Sequence, residues 1–112
     1  MRRAVLSLVI VIGLAGSAHA ETWVLWEHHT GERPAAIETY DDKSTCVKAS
    51  DVAAQKYLEE SQRTAARYAP NSRETYDVAT ISGGYIVTFG REKSMMVPVM
   101  EYRCWPVGVN PQ

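Results

Sequence analysis

Residues 41–67 read DDKSTCVKASDVAAQKYLEESQRTAAR, and the fold turns on this stretch. Cys46, Val47, Ser50, Ala53, Ala54, Tyr57, Leu58, Ser61 and Ala65 recur at helical spacing and share one stripe. Lys48, Asp51, Gln55, Glu59 and Gln62 fall on the opposite side. Asp42 stands ahead of the run, where its carboxylate can cap the unpaired amides of a first turn and suits the helix dipole. Pro70-Asn71-Ser72 ends the pattern. The spacing predicts one helix, from about Asp42 to about Arg67, with a single buried face.

On both sides of that helix the chain reads as strand. Trp23–His28 (WVLWEH) and Ala35–Tyr40 (AAIETY) are joined by the turn formers of His29–Pro34, which predicts a hairpin. After the helix come Thr75–Ile81, a Ser82-Gly83-Gly84 turn, and Tyr85–Phe89 (YIVTF). Gly90–Lys93 turns again before a last run, Met95–Cys104. Pro98 sits inside that run and cannot donate to a ladder, so the run is expected at a sheet edge or bulged there. The order ββ-α-βββ predicts an α+β two-layer sandwich, with one amphipathic helix on an antiparallel sheet of four or five strands. Residues 106–112 carry no pattern and read as extended.

Residues 1–20 have the organisation of an export signal. Arg2 and Arg3 form a basic start, Ala4–Leu14 is an apolar run, and Ala18-His19-Ala20 supplies small residues before Glu21. The run falls short of the roughly 20 residues needed to span a bilayer. Cleavage after Ala20 is expected, giving a periplasmic or secreted protein without a stable membrane anchor. Residues 21–112 then form one small domain.

After Ala20 the chain carries ten Lys+Arg against thirteen Asp+Glu, a formal charge of −3. Acids and bases alternate along it, as on a solvated surface. Nucleic acid is excluded as a partner, because binding phosphates needs clustered basic residues. A domain this small is marginal without a staple. Cys46 and Cys104 are its two cysteines, and in an exported chain their default is a disulfide. A redox pair would usually be spaced CxxC, and a zinc site would need two more ligands.

That bond would tie the helix to the last strand, so Cys104, Tyr102, Met100 and Met96 should face the helix. Met95, Val97 and Val99 would then lie on the other face. The first strand is apolar on both sides, which a single helix cannot cover. Either the termini fold over the open face, with Trp105 among the covering residues, or a partner meets it. The candidate binding surface is Trp26, Tyr85, Phe89, Val97 and Val99, for a protein partner or a second copy. Three tryptophans and six tyrosines are a heavy aromatic load, serving either the core or contacts.

Catalytic chemistry finds little footing. No nucleophile elbow is present, the cysteines are committed to each other, and Asp41-Asp42 and Glu59-Glu60 are mere sequence neighbours. The reading is therefore a non-enzymatic binding or accessory domain that needs no cofactor. The alternative is a small metal-handling protein using His28, His29 and Met95, Met96 and Met100, although adjacent residues on a strand point to opposite faces. A small hydrolase comes third, with no residues to name.

Three segments carry a resemblance: Trp23–Trp26 (WVLW), Tyr40–Cys46 (YDDKSTC) and Tyr102–Pro106 (YRCWP). Together they resemble a group of small exported bacterial proteins of unknown function, across most of residues 23–106. In that group an aromatic strand opens the mature chain, and an R-C-x-P segment closes the domain. Trp105 stands where a leucine is commoner, and the glycine-rich hairpin is extra. The resemblance implies export, one disulfide and one domain, and it assigns no catalytic residue.

Overall fold

The structure, a computed structural model, describes residues 21–111. The export reading of residues 1–20 lies outside the described residues. Strand β1 (Trp23–His29) and strand β2 (Ala35–Tyr40) form the first hairpin, followed by helix α1 (Lys43–Tyr68). Strands β3 (Thr75–Ile81), β4 (Gly84–Gly90) and β5 (Val97–Pro106) complete one antiparallel sheet in the order β2-β1-β5-β4-β3. One helix packed on a five-stranded sheet is the α+β sandwich that the ββ-α-βββ order predicts.

The helix begins where its cap allows. Asp42 accepts a hydrogen bond from the Thr45 amide at 2.7 Å. This contact holds its carboxyl below the usual range, first through the Thr45 backbone amide. Cys46, Ser50 and Ala54, four residues apart, are the buried stripe. All three are small, so the helix axis lies close to the sheet. Ser50 is fully buried yet satisfied, its hydroxyl donating to the Val47 carbonyl at 2.6 Å. Across the interface, Leu25, Val87, Met100, Tyr102 and Cys104 complete the core.

Pro98 calls for an edge or a bulge, and β5, flanked by β1 and β4, takes the bulge. The chain accommodates the proline in two ways. Pairing with β1 ends at His29↔Met100, so Pro98 lies beyond that ladder. Toward β4 the register slips between Val87↔Met100 and Thr88↔Pro98, a bulge that leaves Val99 unmatched. The Pro98 carbonyl still finds a partner, accepting from the Thr30 hydroxyl at 2.7 Å. The strand also starts later than expected, because Lys93–Met95 form a short 3-10 turn, and it runs on through Trp105 and Pro106.

The disulfide joins Cys46 of α1 to Cys104 of β5, with α-carbons 6.1 Å apart. Met100, Tyr102 and Cys104 face the helix, as the period of two requires. The bulge interrupts that period, so Met96 is half-buried and falls outside the core set. No helix among the described residues is long and apolar enough to cross a membrane.

Candidate functional site

The open face of the sheet is built by the alternate residues of each strand. On β1 these are Val24, Trp26 and His28, because Leu25 belongs to the core on the other side. On β5 they are Glu101, Arg103 and Trp105, out of phase with Met100, Tyr102 and Cys104. The antiparallel register sets Trp26 directly across from Arg103, Val24 across from Trp105, and His28 across from Glu101. Two indoles and an ion pair therefore meet at the centre of the sheet.

Arg103 Nε lies 2.8 Å from Glu101 Oε2. Its guanidinium carbon sits 5.9 Å from the centroid of the Trp105 ring, within cation–π range. The Arg–Glu contact is a charge-assisted pair that occupies the buried Nε. Trp26 Nε1 and Trp105 Nε1 are buried without an acceptor. Buried donors are almost always paired, so two on one patch call for a physical account.

These side chains border a cavity of about 60 Å³, closed on its outer side by Pro34 of the β1–β2 loop and Pro111 of the C-terminal tail. The tail reaches this position through a turn at Pro106–Val109, where the Val109 amide donates to the Pro106 carbonyl at 3.1 Å. Gly108 adopts φ +93° in that turn, a conformation that favours glycine. A wider depression of about 580 Å³ continues from the cavity past Glu32, Arg33 and Asn110.

The residues expected to form the binding surface do not share one face. Trp26 alone among them belongs to the open side. Tyr85 and Phe89 are in phase with buried Val87 and so turn toward the helix, where Tyr85 packs on the core. Phe89 lies against Tyr76, with ring centroids 4.6 Å apart. Val99, the bulged residue, packs against the core, while Val97 pairs with Phe89 beyond the bulge and is 55% exposed. Extending a strict period of two through Pro98 places these valines on the wrong side. Trp105 and Arg103 join Trp26, a grouping that depends on β1 pairing with β5. No local signal in the sequence carries that neighbour relation.

The residues of the metal reading are also dispersed. His28 belongs to the open face, whereas His29 faces the helix, its ring centroid 6.0 Å from that of Tyr57. Met100 is in the core and Met95 is largely exposed. Among the described residues no group of three His, Cys, Asp or Glu side chains could hold a metal ion.

A second concavity, of about 390 Å³, lies where the later turns of α1 part from β3 and β4, lined by Tyr57, Tyr68, Tyr76 and Phe89 with Glu60 and Glu74. It is roomier and more apolar than the cavity on the open face. It holds none of the unpaired buried side-chain donors, and Tyr68 on its wall is 77% exposed. The chemical demand for a ligand is stronger at the tryptophan pair.

No family model, curated protein or solved structure matches this chain.

Proposed function

We propose that this protein is an exported, extracytoplasmic binding or accessory domain acting through the open face of its sheet, centred on Trp26, Arg103 and Trp105. The observation that carries this reading is the pair of buried, acceptor-less indole donors beside Arg103 on one face. Indole and guanidinium groups are the side chains that most often anchor interfaces, and here they are held on the rigid middle strands of a sheet. A cleavable segment before Glu21 and the Cys46–Cys104 bond are compatible with a periplasmic or secreted location.

Light scattering combined with iodide quenching of tryptophan emission tests the reading. The expected result is an accessible fraction of emission that disappears in Trp26→Phe or Trp105→Phe, or a dimer whose dissociation exposes it. A clean monomer with every tryptophan shielded from iodide would overturn the proposal. Mass spectrometry of the exported protein should find Glu21 at its N-terminus. A start at Met1 would remove the export reading.

A further inference from the structure

We infer that the Trp26–Trp105 face binds an extended, proline-containing peptide segment, and that the chain's own tail occupies the site as an internal competitor. This names the ligand class for the surface proposed above and rests on that reading.

Trp26 Nε1 and Trp105 Nε1 are buried donors without acceptors, while Arg103 Nε is held against Glu101. The two indoles can be satisfied only by an incoming acceptor. A proline-rich backbone has the opposite character, since each proline keeps its carbonyl but has no N–H. In the polyproline II conformation these carbonyls point outward, unpaired, and the rings pack on flat aromatic surfaces. An ordinary extended strand would bring an amide donor with each carbonyl, and an indole N–H cannot accept from it.

The second observation is what already sits there. Pro34 and Pro111 are the two residues outside the sheet that border the cavity, and both are prolines that share its lining with Trp26. Pro111 arrives on a segment that the Gly108 turn folds back over the sheet. That segment leaves the indole N–H groups unpaired, so it fills the ring-binding part of the site without supplying the carbonyls. A longer proline segment in trans would supply both, displacing residues 107–111 and running into the adjoining depression. Tethered by only a few residues, the tail acts at high effective concentration and lowers apparent affinity for such a ligand.

The experiment titrates decaproline, with a glycine–serine decapeptide as control, into the intact protein labelled at the tryptophan indoles and observed by NMR. The indole N–H signals of Trp26 and Trp105 should move downfield and saturate with decaproline, that of Trp23 should stay, and the control peptide should move none. Pro111→Ser should tighten decaproline binding about tenfold by freeing the site. Trp26→Phe retains a ring but loses the donor, and should weaken binding about tenfold. The inference falls if decaproline moves neither indole in the intact protein or in Pro111→Ser. It falls equally if Trp26→Phe binds as well as the unaltered chain. Iodide access to Trp26 together with silence toward decaproline would leave the face a surface and remove only its proline ligand.

Discussion

Cys46 and Cys104 bring the first turn of α1 onto the central strand beside Leu25, their α-carbons 6.1 Å apart across 58 positions of sequence. The bond crosses the middle of the core and closes a long loop, which limits the unfolded chain most when the loop is long. Thiol titration of the denatured, unreduced protein should therefore find no free thiol, and two per chain would refute the bond. Reduction should lower unfolding free energy by about 2–5 kcal/mol in urea titrations.

Gly84 lies directly across from Arg103 where β4 meets β5. A β-carbon there would run into the Tyr102 carbonyl oxygen and come within 2.9 Å of the Arg103 α-carbon. Backbone atoms cannot swing aside, so Gly84→Ala should destabilise by at least about 2 kcal/mol and loosen the β4–β5 pairing. Gly31 makes the useful comparison. It has φ +88° with open space around it, so Gly31→Ala carries only conformational strain of about 1 kcal/mol. Urea midpoints of the two variants give the order.

Val87 is fully buried opposite Met100 and Val78, at the centre of the packed layer. Val87→Ala leaves a hole that a stapled helix cannot collapse into, and should cost about 2–3 kcal/mol. Val52, on the outer side of α1, is 68% exposed, and Val52→Ala should change stability by less than about 0.5 kcal/mol. Thermal denaturation followed by circular dichroism separates the two.

Tyr102 gives the domain an alkaline edge. Burial, with Glu27 next in effect, pushes its hydroxyl up to about 12, and Glu27 is its direct partner across the β1–β5 ladder. In the unfolded chain a tyrosine ionises near pH 10. Between these values the unfolded state binds fewer protons than the native state, so unfolding becomes easier as pH rises. The contribution is complete below about pH 10 and is lost as pH rises through about 12. Urea midpoints measured upward from neutral pH should show the decline, and Tyr102→Phe should flatten it.

The fold was legible wherever a period ran unbroken. Asp42 as cap, the Cys46-Ser50-Ala54 stripe and the strand Thr75–Ile81 are all local patterns, and the structure realises them. Pro98 carried a real signal with two solutions, edge or bulge. The structure takes the bulge in a central strand, because β1 ends before the proline is reached. The site was less legible. Trp26 stood out as a large apolar residue with no helix to cover it. Its companions Arg103 and Trp105 become neighbours only through pairing between the first and last strands, about eighty residues apart. Tyr85 and Phe89 look like surface aromatics until Val87, between them, is seen to be fully buried.

The sheet's order also bears on when the molecule can exist at all. The middle strand is the last to be made, and within the sheet neither hairpin hydrogen-bonds to its counterpart except through it. A chain emerging N-terminus first presents β2-β1 and β4-β3 as separate, half-finished pieces, with Cys46 waiting for a partner near the far end of the sequence. Only when β5 arrives can it slide between them, close the ladder on both sides and bring Cys104 within reach. The sheet is therefore complete only once its C-terminal strand is in place between the two hairpins.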